Sequence, residues 1–190
     1  MENLKETLKS IWTKEIEIRF NKGLITYERQ LQAELYRLLK KELNDEEKYE
    51  VWVEPVLYKI FPWHIIKPDI IITNEKEKLI IGIIEIKFKP WEEINSKHDL
   101  KKLKGINDHQ KKEVNLKVTL GYNKPYSSNL EEQKNSSREY TFNADYLNVI
   151  IAFGNDSHAF EINEDEKPNN FLHLIGYIDN SQHDSVFRIK

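Results

Sequence analysis

The residues best suited to chemistry are two acids and a lysine at the ends of two apolar runs. Asp69 opens the run 69–73, and sixteen residues later Glu85, followed by Ile86 and Lys87, closes the run 79–88. Both runs are short and rich in isoleucine, so both predict strands that pack on at least one face. The polar residues 74–78 between them have the length of a hairpin turn. The sequence therefore predicts a hairpin that carries all three side chains.

Glu85 and Lys87 point to the same side of the second predicted strand, because side chains alternate along a strand. A paired neighbour could present Asp69 beside them. Two carboxylates and an amine on an apolar sheet are costly unless something binds them, and a divalent cation with oxygen ligands is the natural occupant. The alternative is an exposed edge hairpin whose Glu85 and Lys87 face solvent. Ile81 and Ile83, predicted to share the face of Glu85, weigh against it.

Pro68-Asp69 and Glu85-Ile86-Lys87, in this order and at this separation on a strand hairpin, resemble the motif of the PD-(D/E)xK nuclease superfamily. The resemblance implies that Asp69, Glu85 and the backbone carbonyl of Ile86 bind Mg²⁺, with Mn²⁺ as a substitute. It also implies that metal-activated water hydrolyses phosphodiester bonds of DNA. Lys87 would orient that water or stabilise charge on the phosphate.

Glu28 is a further candidate, because it falls on the leucine stripe of a helix predicted over 26–43. An acid in an apolar stripe needs an explanation. Many superfamily members carry a Glu near the start of the corresponding helix, so the resemblance implies that Glu28 reaches the metal directly or through water. The alternative is an acid that the helix dipole favours in the first turn. Glu34 is a weaker candidate. Gln32 is predicted to be a partly exposed helix residue, with the positioning of water as the alternative.

A basic stretch follows the motif, and four lysines in or beside it are candidate phosphate contacts: Lys89, Lys101, Lys102 and Lys104. A run of like charges is more often a solvated surface. The formal net charge of −3 argues mildly against a general nucleic-acid binder. It does not exclude a nuclease, because active-site carboxylates contribute negative charge that a metal cancels.

The order helix, strand, strand, strand, helix, strand predicts an α/β fold with a mixed sheet flanked by helices. It resembles the restriction-endonuclease-like fold over roughly residues 24–104. The predicted elements are helices over 3–13 and 26–43, the latter capped by Thr26, an edge or bent strand over 49–58, the hairpin, a helix starting at Asp99, a strand over 147–153 and a strand or short helix over 171–178. The length suits a single domain, 1–190, with a mobile loop or insertion at about 121–140.

The composition, with 39% hydrophobic and 32% charged residues, is that of a globular protein with a charged surface. No apolar run is long enough to span a membrane, and the polar start does not look like a signal peptide. Cysteine is absent, which excludes thiolate metal sites and favours an intracellular, cytoplasmic location. The histidines lack metal-ligand spacing, and no phosphate-binding loop is present, so neither zinc nor a nucleotide cofactor is expected.

These patterns predict a Mg²⁺-dependent DNA endonuclease. One alternative is a catalytically silent nuclease-fold module that binds nucleic acid or protein, against which the intact Asp69, Glu85 and Lys87 argue. Another is an α/β interaction protein in which the motif is accidental. Dimerisation is common where two strands must be cut, so a homodimer is compatible with this function. Residues 118–190 carry no family signature.

Overall fold

The structure is a computed structural model that describes residues 2–44, 48–61, 64–90, 97–112, 117–121, 138–155, 162, 164–179 and 184–190. Nine described strands form one mixed sheet. The helices are α1 (Glu2–Ser10), α2 (Glu17–Asn21), α3 (Glu28–Glu42) and α4 (Lys97–Lys112). The strands are β1 (Tyr49–Val53), β2 (Val56–Phe61), β3 (His64–Ile66), β4 (Ile70–Asn74), β5 (Leu79–Phe88), β6 (Lys117–Gly121), β7 (Arg138–Gly154), β8 (Phe171–Asp179) and β9 (Asp184–Ile189). The prediction of a mixed α/β sheet flanked by helices is confirmed.

The N-terminal helix continues well past the predicted end at residue 13. A π-helical segment, Ile11–Ile16, joins α1 to α2 without a break. Trp12 lies on this segment, is fully buried and donates a hydrogen bond from Nε1 to the carbonyl of Ile175, 3.3 Å away in β8. This contact links the N-terminal helical segment to strand β8.

Helix α3 packs its leucine stripe against the sheet, as the spacing of these residues predicts. The stripe is at most 1% exposed and consists of Leu31, Leu35, Leu38 and Leu39. The prediction that Thr26 caps the helix is wrong, because the cap position is Tyr27, in an extended conformation. The backbone N–H and the hydroxyl of Thr26 instead donate to Oε1 of Gln30, at 2.8 and 2.9 Å. The side chain of Gln30, in the first turn of α3, therefore fixes the residue that precedes the cap position.

The predicted hairpin is present as β4 and β5, which pair antiparallel. Ile70 is the partner of Ile84, and extending that register by one residue places Asp69 opposite Glu85 on the same face. Strand β5 also pairs in parallel with β7, so it lies inside the sheet with a neighbour on each side. The alternative of an exposed edge hairpin is therefore wrong.

A register shift after Ile72 changes which residues of β5 share a face. Ile80 and Ile83 lie in the core beneath α4, whereas Ile81 lies in the core beneath α1 and α3. The prediction that Ile81 shares the face of Glu85 is wrong, because an irregularity of this kind shifts the alternation by one residue. Glu85 keeps the face of Ile83 and so looks toward α4.

The remaining strands extend the sheet on both sides of the β4–β5 hairpin. The predicted order of elements is kept along the chain from α3 to β7, with two added strands, β3 before β4 and β6 before β7. Glu54, at a positive φ of 47°, and Pro55 divide the predicted strand 49–58 into β1 and β2. The first part of β7 pairs with β6 and its second part with β8, which in turn pairs with β9. Strands β3, β6 and β9 have no counterpart in the sequence prediction.

Two predictions concern the rest of the chain. The loop expected at about 121–140 falls largely on residues 122–137, outside the described residues, whereas residues 138–140 begin β7. Of the helices in the described ranges, none combines the length and the apolar character needed to cross a bilayer.

Candidate active site

The motif residues meet where β4 begins and β5 ends. Oδ2 of Asp69 accepts a hydrogen bond from the backbone N–H of Ile86 at 2.6 Å. The carboxylate of Asp69 therefore lies against the backbone between Glu85 and Lys87, whose side chains both project from the same face of β5. The hairpin register creates this arrangement, because it brings the first residue of one apolar run beside the last residues of the other.

The backbone at Asp69 is held from two further elements. Its carbonyl accepts a hydrogen bond from Nε2 of Gln32 at 3.2 Å and from the backbone N–H of Glu54 at 2.9 Å. Gln32 is 9% exposed, so the expectation of a partly exposed helix residue is wrong. Its position one residue after Leu31 of the buried stripe is the signal that could have indicated this role. Helix α3 thus helps to position the acid.

Glu85 is a buried carboxyl group, with 2% of its surface exposed. Its Oε2 lies 2.8 Å from Nζ of Lys102, and its buried Oε1 has no hydrogen-bond partner among the described residues. Burial raises the pKa of Glu85 to about 8, although the ammonium of Lys102 acts in the opposite direction. Burial also raises the pKa of Asp69, against the lowering effect of the Ile86 N–H and of Lys102. Both acids are therefore costly to ionise as they stand.

Lys87 faces an acid that the sequence analysis did not single out. Its Nζ lies 3.5 Å from Oδ2 of Asp99, which is in the first turn of α4 and is 3% exposed. Burial lowers the pKa of Lys87, but Asp99, Glu28 and Asp69 outweigh burial and raise it. The sequence indicates Asp99 only as the start of a helix, because nothing in the local pattern connects it with Lys87, twelve positions earlier in a strand.

Lys102, predicted to contact phosphates, lies inside the site. Its Nζ donates to Oε2 of Glu85 and to the backbone carbonyl of Lys67, each at 2.8 Å. The other three candidate lysines, Lys89, Lys101 and Lys104, are exposed. Lys104 donates to the carbonyl of Asp165 at 3.1 Å. The structure therefore separates one lysine of the basic group from the others by bringing it to the buried acid.

Glu28 approaches the same place from the opposite face of the sheet. Its side chain is exposed, but Oε2 accepts a hydrogen bond from the backbone N–H of Phe88 at 3.2 Å, at the end of β5. Its charge acts on both Asp69 and Lys87, raising the pKa of each. Glu28 thus points toward the motif and not to the far side of α3. The side chain of Ile86 is 1% exposed and packs in the core beneath α3, so only its backbone is available to the site.

The donor set is suited to a hard divalent cation. Asp69 and Glu85 supply carboxylate oxygens, and Oε1 of Glu85 is buried without a partner among the described residues. The ammonium of Lys102 stands beside the other oxygen as a substitute positive charge. Within the described ranges no three His, Cys, Asp or Glu side chains already converge on a single point. The acids fit such an ion by their chemistry.

Comparisons with known proteins add little to this picture. No known family profile and no curated protein matches the chain. Among solved structures, the chain is similar to the apo form of NucC from E. coli MS115-1, with a TM-score of 0.42 and 8% sequence identity over 84% of this chain and 75% of that chain. Similarity at that level carries no argument about activity. The case for a functional site therefore depends on the geometry of this chain.

Proposed function

We propose that this protein is a Mg²⁺-dependent DNA endonuclease that hydrolyses phosphodiester bonds in the cytoplasm. The observation that carries the proposal is the meeting of two costly acids and a lysine at the end of an interior strand. Asp69 contacts the backbone beside Glu85 at 2.6 Å, and Glu85 is almost fully buried. Buried acids with raised pKa values are more frequent at functional sites than elsewhere, because a ligand there repays the cost of burial.

Asp69 and Glu85 would hold the cation through their carboxylate oxygens, with Glu28 and the backbone carbonyl of Ile86 as further ligands. When bound, Mg²⁺ supplies Lewis acidity toward the phosphodiester and lowers the pKa of a water molecule that attacks it. Mn²⁺ is expected to replace it, because it accepts the same oxygen ligands. Gln32 contributes indirectly by holding the backbone of Asp69 in place.

Lys87 would stabilise the negative charge that develops on the phosphate, or orient the attacking water. A raised pKa keeps its amine protonated at neutral pH, and Asp99 is the first acid responsible for that increase. The side chain of Lys87 is 35% exposed, whereas that of its partner Asp99 is 4% exposed. This position suits a group that must meet a phosphate arriving from outside.

The exposed lysines Lys89, Lys101 and Lys104 would contact the phosphates of the DNA backbone near the site. Such contacts make affinity fall steeply with salt concentration and carry no sequence preference of their own. A homodimer would place two sites on one duplex and so allow both strands to be cut.

A second candidate function is a catalytically silent module that binds nucleic acid or protein. Two observations favour it: Glu85 and Lys87 each already have a charged partner from α4, and no three potential ligands converge among the described residues. In such a module the ion pairs Glu85–Lys102 and Lys87–Asp99 would be permanent structural contacts. Cation binding and cleavage would then both be absent.

The proposal is tested by calorimetric titration with Mn²⁺ and by nicking of supercoiled plasmid in Mg²⁺ or Mn²⁺. Asp69→Asn should lose both binding and nicking, because an amide is a far poorer ligand than a carboxylate. Lys87→Ala should keep or tighten metal binding but lose roughly a hundredfold or more in nicking rate. Glu42→Gln, at the exposed end of α3, is the matched control and should behave as wild type.

The outcomes separate the two candidates. Unchanged Mn²⁺ affinity in Asp69→Asn refutes the site, and wild-type nicking in Lys87→Ala removes Lys87 from the reaction. A wild-type protein that binds DNA but neither binds Mn²⁺ nor nicks the plasmid is the silent module.

A further inference from the structure

Lys102 makes contacts that a phosphate-binding surface lysine does not make. Its ammonium donates to an oxygen of Glu85 and to the main-chain carbonyl of Lys67, both at 2.8 Å. Its side chain is 21% exposed, and the side chain of Glu85 is 3% exposed. A charged hydrogen bond to a buried carboxylate is short and strong, so this amine is held in the site.

The packing of α4 selects Lys102 for this position. Leu100, Leu103 and Ile106 are at most 5% exposed and fasten one face of the helix to the sheet. Lys102 lies at the border of that face, where its stem reaches the end of β5, whereas the neighbouring Lys101 is exposed. Two adjacent lysines of equal charge therefore differ in whether the amine reaches Glu85.

The oxygens that Lys102 contacts are of the type that Mg²⁺ prefers. One belongs to a carboxylate and the other to a main-chain carbonyl, and both are hard donors suited to a small cation. A buried carboxylate left without a positive partner is strongly unfavourable. In the absence of a metal, the ammonium of Lys102 meets this need for Glu85.

We propose that Lys102 occupies the cation position of Glu85 in the metal-free protein, and that a divalent cation must displace its ammonium in order to bind. The inference depends on the proposed metal site and adds a regulation of that site. Lys102 keeps the carboxylate satisfied when no metal is present, and in doing so it lowers the affinity for the metal. The lysine is then a built-in competitor and not a peripheral DNA contact.

The sign of the effect follows from competition. In the wild type both the ammonium of Lys102 and the proton oppose the metal at Glu85; in Lys102→Met only the proton remains. Removing one of two competitors tightens binding, most at alkaline pH where the proton competes least, and the repulsion between the ammonium and the bound ion is removed as well. At pH 8.5 the expected gain in metal affinity is roughly threefold, because the charged hydrogen bond no longer competes and only the remaining proton does.

The experiment is a calorimetric titration of the metal-free full chain with Mn²⁺. At pH 8.5, Lys102→Met should bind Mn²⁺ roughly threefold more tightly than the wild type, and Lys101→Met should match the wild type. The Lys101 variant loses the same charge from the same helix, so it separates displacement at Glu85 from a change in net charge. Equal or weaker binding by Lys102→Met overturns the inference while the proposed site stands. If no form binds Mn²⁺, the proposed site fails and this inference fails with it.

A second measurement uses the wild-type chain and does not depend on the folding of a variant. Lysine amines are acylated with an N-hydroxysuccinimide ester of acetic acid, and the modified positions are quantified by mass spectrometry with and without Mn²⁺. Lys102 should be protected without the cation and should react several-fold faster with it, whereas Lys101 should react equally in both. Equal protection of Lys102 in both conditions overturns the inference.

Discussion

Replacing Glu85 by Gln should make the stability of the metal-free protein much less dependent on pH. Glu85 is 2% exposed, and burial raises its pKa from an ordinary 4.5 to about 8 in the folded chain. Between these two values the folded state binds the proton more tightly than the unfolded state. The free energy of unfolding therefore falls as the pH rises through this window, by about 1.4 kcal/mol for each pH unit.

The size of the effect follows from that slope. Between pH 6 and pH 8 the wild type should lose about 2 kcal/mol relative to Glu85→Gln, whose amide does not ionise, because the slope halves as the pH reaches the pKa of the folded state. The raised pKa of Asp69 acts in the same direction in both proteins, so it cancels in the comparison.

The assay is urea denaturation in the presence of a chelator at pH 5, 6, 7 and 8. Glu85→Gln should become progressively more stable relative to the wild type as the pH rises, whereas the exposed-surface control Glu42→Gln should run parallel to the wild type. Adding Mg²⁺ should flatten the wild-type dependence, because a bound cation favours the ionised carboxylate. Parallel profiles for the wild type and Glu85→Gln would refute the reasoning, since they would show that ionising Glu85 costs the folded chain nothing.

Two further substitutions test positions that the fold defines. Asp99→Asn removes the carboxylate that lies 3.5 Å from Nζ of Lys87, and should lower kcat for plasmid nicking roughly tenfold with little change in KM or in Mn²⁺ affinity. Asp99→Glu should recover part of the loss, and an unchanged kcat in Asp99→Asn would show that Lys87 needs no positioning. Gly176→Ala should destabilise the protein by about 1–3 kcal/mol in urea denaturation, because the new Cβ would lie 2.1 Å from Cδ2 of Phe153, a ring that is 1% exposed and packs against Phe88. Adding Phe153→Leu should restore part of that stability, and a neutral Gly176→Ala would mean that the ring shifts freely.

The sequence alone determined the hairpin, the leucine stripe of α3 and the alternating order of helices and strands. These features are local: isoleucine runs, helical periodicity and polar turns act over a few residues and keep their meaning in any packing arrangement. The proximity of Asp69, Glu85 and Lys87 could be predicted for the same reason, because a hairpin of this length joins them. The position of Glu28 facing the motif followed from its place on the apolar stripe.

Only the tertiary structure decided which charges surround the motif. Asp99 and Lys102 reach Lys87 and Glu85 because α4 packs across the face of β5, and no local pattern specifies that docking. The face of the sheet on which Ile81 lies depended on a register shift between β4 and β5, and the periodicity of a single strand does not reveal such a shift.

The pairing of the strands from β6 to β9 was also decided only by the tertiary structure. Strands β6 and β8 share one long neighbour, β7, and β9 adds to β8, through pairings between residues far apart in sequence. Gln32 shows the same division within a single residue: helical spacing places it beside the buried stripe, but only the packing of α3 on the sheet brings its amide to the carbonyl of Asp69. Local periodicity thus selects the elements and the candidate acids, and the burial of one element against another determines their partners, their charge states and the chemistry open to them.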